Sequence, residues 1–108
     1  MKSVFDRSLF DTTIKLKGKD AEKAICDAAA RLAPKIRETS YDVTLEVADC
    51  TAPVHRDELK HSIARRIFDE LRKAGYRPDP DYEAPRLVVA VELMGESAGI
   101  HLVRAPVP

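Results

Sequence analysis

Two cysteines, Cys26 and Cys50, are all that the 108 residues contain. They are too few and too far apart for a disulfide framework or a cysteine metal motif, and a reduced intracellular setting is the simplest inference. Long apolar runs are missing as well: the longest, Leu87 to Val91, falls far short of the roughly 20 residues of a membrane span. The charged start Met1-Lys2-Ser3-Val4-Phe5-Asp6 offers no apolar signal core, so the chain reads as cytoplasmic, with no membrane partner. The four glycines nowhere form a loop that could cradle a phosphate, and no serine stands in a G-x-S-x-G elbow. Nor is there an excess of one charge. Eighteen basic residues balance eighteen acidic ones, which disfavours a uniformly basic nucleic-acid binder and an acidic solvating tail alike, and leaves any electrostatic partner to a local patch.

What is present is the composition of a soluble globular chain, 44% hydrophobic and 33% charged. A single domain of this length, residues 1–108, buries about two-thirds of its extended surface on folding. After an opening segment with Val4, Phe5, Leu9 and Phe10, Thr13-Ile14-Lys15-Leu16-Lys17 alternates apolar with polar and stops at Gly18, the pattern of a short half-buried strand. Residues 1–19 thus form an N-terminal extension with a first strand. From Asp20, a plausible N-cap, the apolar residues Ala21, Ala24, Ile25, Ala28, Ala29, Leu32 and Ile36 recur at helical spacing. Pro34 either kinks this helix or makes it restart as a separate turn carrying Ile36.

Tyr41, Val43, Leu45 and Val47 alternate with Asp42, Thr44, Glu46 and Ala48 to give a second strand, followed by a turn over Asp49 to Pro53. Leu59, Ile63, Ala64, Ile67, Phe68 and Leu71 then mark a long amphipathic helix that stops at Gly75. Its first turn carries Asp57 and Glu58 and its last Arg72 and Lys73, each matched to the helix dipole. Arg77-Pro78-Asp79-Pro80-Asp81 reads as an extended connector outside helix and sheet. Leu87-Val88-Val89-Ala90-Val91 reads as a covered strand, turned by Gly95 to Gly99 into Ile100-His101-Leu102-Val103; the tail from Ala105 is irregular. The fold class is α/β: a small mixed sheet with two helices packed on one face, in the order strand-helix-strand-helix-strand-strand, closing on a C-terminal hairpin.

A search for catalytic chemistry finds none. His55, Asp57, Glu58 and His61 cluster at the head of the second helix, but the two histidines stand about 240° apart on a helical wheel and cannot share a metal. Glu58 and His61 read as a solvated capping and charge pair. Cys26 lies beside the apolar face of the first helix and reads as a small buried hydrophobe; Cys50 has no better case. His101 points away from the face that Ile100 and Leu102 bury. No metal, cofactor or enzymatic activity is expected.

Charge is distributed unevenly. Residues 1–54 are neutral, whereas residues 55–77 carry Arg56, Lys60, Arg65, Arg66, Arg72, Lys73 and Arg77 against Asp57, Glu58, Asp69 and Glu70, a net of +3. Arg65, Arg66, Arg72 and Lys73 fall on the solvent arc of the second helix. Arg56 and Lys60 fall near its N-terminus, where backbone N–H groups also favour phosphate.

Three stretches together resemble the THUMP domain, an RNA-binding module of tRNA- and rRNA-modifying enzymes. Residues 41–47, YDVTLEV, are similar to its first conserved strand; residues 55–67, HRDELKHSIARRI, to the histidine-led helix that follows; and residues 85–100, PRLVVAVELMGESAGI, to its closing hairpin. The Val-Glu, Gly-Glu and Ala-Gly-Ile pieces are most similar to archaeal members, and the resemblance covers residues 20–104. It implies recognition of structured RNA, typically the acceptor stem and 3′ end of tRNA, with chemistry left to a separate modifying enzyme. Stand-alone relatives of this kind resemble the adaptor that assists tRNA cytidine acetylation. On this reading His55, Arg56, Lys60, Arg65 and Arg66 meet RNA phosphates, and the neutral net charge implies weak binding without a partner. The alternative is a protein-interaction or assembly domain that uses a sheet edge and the apolar opening segment.

Overall fold

The computed structural model describes residues 12–16, 20–50 and 55–104. The expected apolar opening, Lys17 and Gly18, residues 51–53 of the expected turn, and the tail from Ala105 lie outside these residues.

Seven elements follow one another: β1 (Thr12–Lys15), α1 (Ala21–Ala30), α2 (Ala33–Ile36), β2 (Tyr41–Cys50), α3 (Arg56–Lys73), β3 (Leu87–Gly95) and β4 (Ser97–Arg104). The sheet order is β1-β4-β3-β2. β1 and β3 each run antiparallel to β4, and β2 runs parallel to β3. A parallel pair requires a crossover, and α3 supplies it. The mixed α/β sheet with its C-terminal hairpin is therefore as the sequence pattern implies.

The register explains why one sheet face is apolar. Val43 pairs with Val89, Leu45 with Val91, Val91 with Ile100, and Leu93 with Ala98, so period-two alternation in each strand sends these side chains to the same side. There they meet Ile25, Ala28 and Ala29 of α1 and Leu59, Ile63, Ile67 and Leu71 of α3, all buried. Truncating any of the large aliphatics in this layer costs about 2–5 kcal/mol.

Local chemistry sets the helix limits. Asp20 accepts a bond from Lys23 N at 3.2 Å through Oδ1, capping α1. The apolar spacing continues to Ile36, but α1 stops at Ala30 and the chain restarts as the single turn α2 with Pro34 in its first turn, the second of the two outcomes that proline allows. α3 closes with Gly75 at φ +89°; Gly75 N donates to Arg72 O and Tyr76 N to Leu71 O, the bond pair of a Schellman motif.

Four segments differ from expectation. The first strand is Thr12–Lys15 rather than 13–17. β2 does not turn at Asp49; it continues to Cys50 beside Met94 and Gly95, with a bulge between Val47 and Asp49 absorbing the extra residue. The hairpin turn is only Gly95-Glu96, because Met94 pairs directly with Ser97. Gly95 has φ +58°, as the first central residue of a type II′ turn requires. The proline-rich connector joins the sheet after all: Tyr41 N donates to Asp79 O at 3.0 Å and Asp81 N to Tyr41 O at 2.9 Å, bridging Tyr41 and Pro80. Both donors belong to residues flanking or facing Pro80, so its missing N–H costs nothing.

That bridge also blocks an edge. Tyr41 turns its N–H and C=O outward from β2, and Leu45, two steps of period two further on, faces the same way. Its carbonyl accepts from Arg56 Nη2 at 3.4 Å. The outer edge of β2 is thus occupied at two places, which opposes strand addition there.

Candidate nucleic-acid interface

α3 positions the basic residues, and its buried stripe dictates where each one points. Leu59, Ile63, Ile67 and Leu71 face the sheet, so the remaining positions are distributed around the helix by the 100° step. His55 is the N-cap, in extended conformation with φ −100° and ψ 110° and no side-chain capping bond. It therefore lies off the helical wheel and close to the first-turn N–H groups. Arg56, beside it, is exposed but spends one guanidinium nitrogen on Leu45 O. Lys60 and Arg65 are both exposed; about 140° separates them around the helix.

Arg66 is committed elsewhere. Its Nη1 lies 2.6 Å from Asp27 Oδ1 on α1, and its Nε donates to Glu70 Oε1 at 3.3 Å. The two hydrogen bonds to these carboxylates hold its guanidinium firmly protonated. On the same flank Ser62 Oγ donates to Glu22 Oε1 at 2.6 Å, so this side of α3 is the seam with α1. Of the five expected contacts, the structure places His55 and Arg56 together at the helix head, Lys60 and Arg65 on separate exposed arcs, and Arg66 in the interhelical seam.

The fold also assembles a basic surface that averaging along the chain conceals. Arg31, Lys35 and Arg37 lie within seven positions of one another, but their charge vanishes when residues 1–54 are summed. The break after α1 carries them to the C-terminal end of α3, where Arg77 N donates to Glu38 Oε2 at 2.9 Å. The signal was a local run of arginine and lysine beside Pro34; its location depended on the chain reversal.

Among the described residues no three His, Cys, Asp or Glu side chains lie close enough to hold a metal ion, and no helix is long and apolar enough to cross a membrane. Cys26 is buried on α1, and burial, with Glu22 nearby, pushes its thiol up to about 11. It has the setting of a packing residue, not of a nucleophile. His101 is half-buried on the far face of the sheet, opposite Ala90.

Comparison with known proteins gives a consistent result. Residues 19–103 match the sequence profile of the THUMP domain. No curated protein matches the sequence. Solved structures share the fold: TrmN from Thermus thermophilus aligns with a TM-score of 0.68 at 23% identity, over 86% of this chain and 27% of that one. A 4-thiouridine synthetase in complex with RNA and ATP aligns at 0.63 and 16% identity, over 87% of this chain and 23% of its own. The solution structure of the THUMP domain of THUMP domain-containing protein 1 aligns at 0.65 and 15% identity, over 83% and 92% respectively. The chain thus spans about a quarter of the length of the first and second of these.

Proposed function

The chain belongs to the THUMP family, the RNA-binding module of tRNA-modifying enzymes, and from that premise we propose that it is a non-catalytic RNA-holding domain. It binds the acceptor stem and 3′ end of tRNA in the cytoplasm and delivers them to a modifying enzyme on a separate chain. The family match across residues 19–103 carries this reading. The 4-thiouridine synthetase that shares the fold was solved with RNA, which supports the same class of ligand.

The phosphate contacts in this proposal are His55 and Arg56 at the head of α3, with Lys60 and Arg65 along it. Arg66 acts as a positioning residue: through Asp27 it ties α3 to α1 one position from Arg65, supporting the orientation that the buried stripe sets. Few charges are involved and the net charge is zero, so affinity is modest and falls with salt in proportion to the few phosphates neutralised. Recognition reads backbone and shape rather than base sequence, as is usual for helical RNA.

The test is fluorescence anisotropy of the chain titrated into tRNA and into the same tRNA lacking its 3′ end, over a range of salt. Binding that weakens with salt and requires the 3′ end is expected, with a reduced salt slope for Arg65→Glu. Equal binding of the truncated tRNA would remove the 3′ end from the proposal; no binding at low salt would remove RNA altogether.

A further inference from the structure

α2 ends in an unusual backbone. Arg37 has φ 53° and ψ −123°, and Thr39 N donates to Ile36 O at 3.0 Å across it. These are the dihedrals and hydrogen bond of a type II′ turn with arginine in the first central position, where glycine is strongly favoured because a Cβ crowds the backbone. Arg37 is the sole non-glycine residue with positive φ among those described. A side chain held at this conformational cost points to a role for the side chain itself.

Its surroundings suggest the role. Arg37 Nε donates to Pro34 O at 3.1 Å, which orients the guanidinium. Pro34 lines an open groove of 530 Å³ together with Arg31 and Ala74. Glu38, the next residue, lines a second groove of 390 Å³ with Arg72, Gly75 and Arg77. Ala74 of the first groove and Gly75 of the second are consecutive at the end of α3, and Arg37 lies in the chain between Pro34 of the first and Glu38 of the second, so Arg31, Arg37, Arg72 and Arg77 gather at this end of the helix.

The carboxylates that line the two grooves each have a bonding partner. Asp27 is bonded to Arg66, Glu70 to Arg66 and Lys73, and Glu38 to the backbone N–H of Arg77. Arg31, Arg72 and Arg77 form no ion pair among the described residues. The C-terminal end of a helix dipole opposes anions. Here, however, the carbonyls of Glu70, Leu71 and Arg72 are bonded by the N–H groups of Ala74, Tyr76 and Gly75, so the arginines are not used to cap them. Four guanidinium groups outweigh the half charge of one dipole together with the Glu38 carboxylate, whose bond to a backbone N–H leaves its charge in place.

We propose that Arg31, Arg37, Arg72 and Arg77 form a second phosphate-binding surface for the RNA backbone, at the opposite end of α3 from His55. It rests on the RNA-binding reading above and extends it: α3 spans about 27 Å, so the two surfaces engage different segments of one folded RNA. Guanidinium forks suit phosphate oxygens, and open grooves suit a continuous backbone better than an enclosed small molecule.

The experiment compares the wild-type chain with Arg37→Gly, the pair Arg72→Gln with Arg77→Gln, and Arg65→Glu, measuring tRNA anisotropy across salt and thermal unfolding. Arg37→Gly is expected to raise Tm by relieving the turn, yet to weaken tRNA binding and lower the slope of log K against log salt by about 0.7–0.9. That opposition of sign separates loss of contact from loss of fold. The double glutamine variant is expected to lower the slope by about twice as much. Unchanged affinity and slope in both, with binding weakened by Arg65→Glu, would overturn the second surface and leave the RNA reading intact. No tRNA binding by the wild-type chain at low salt would overturn both.

Discussion

Arg66 on α3 and Asp27 on α1 are joined by a 2.6 Å ion pair across the interhelical seam. The pair spends a cation that the charge pattern assigns to solvent. Charge reversal at Arg66 would set three carboxylates together, since Glu70 lies on the same guanidinium. Arg66→Glu is expected to lower Tm, and adding Asp27→Arg to restore it, with the effect shrinking at high salt. The double variant should also recover tRNA binding if Arg66 only positions α3. Recovered stability without recovered binding would make Arg66 a direct contact.

Glu92 faces away from the helices, opposite Glu46 in the β2–β3 register, with Oε2 buried and unbonded among the described residues. Burial, then the Glu46 charge, raises its carboxyl above the ordinary 4.5. The native state therefore binds more protons than the unfolded one, and stability falls as pH rises from about 4.5 through the raised native value. Glu92→Gln is expected to stabilise at neutral pH, on the order of 1 kcal/mol, with no gain once both states are protonated. Urea titrations at several pH values check this; a gain that persists unchanged in acid would count against it.

Cys26, with its thiol pushed up to about 11 by burial, is expected to resist alkylation at neutral pH while folded and to react once urea opens the core. Peptide mapping after iodoacetamide treatment reads the result for Cys26 separately from Cys50. Rapid labelling of folded protein at Cys26 would contradict its place in the core.

Gly75 closes α3 at φ +89°, and a Cβ built there meets nothing within 4 Å. Gly75→Ala should therefore cost only the conformational term, about 1–2 kcal/mol, visible as a lower Tm. Gly75→Asn should cost less, because asparagine tolerates positive φ better. Equal losses for the two would point to something other than backbone conformation.

The residue pattern by itself determined the order of the main helices and strands and the buried faces of α1, β2 and α3, because burial on one side leaves a period of 3.6 or 2 in the chain. Leu59, Ile63, Ile67 and Leu71 or Val43 and Leu45 can be assigned without coordinates. So can the cap at Asp20 and the stop at Gly75, which depend on neighbours in sequence. The tertiary structure alone decided which charges remain available. Arg66 and Asp27 are thirty-nine positions apart, and no periodicity links them; nor does any link Arg77 to Glu38 or Arg56 to the carbonyl of Leu45. Electrostatic and hydrogen-bond partners are selected by distance in space, so the basic end of α3 was legible as composition, whereas its division into seam, edge and open surface required the fold.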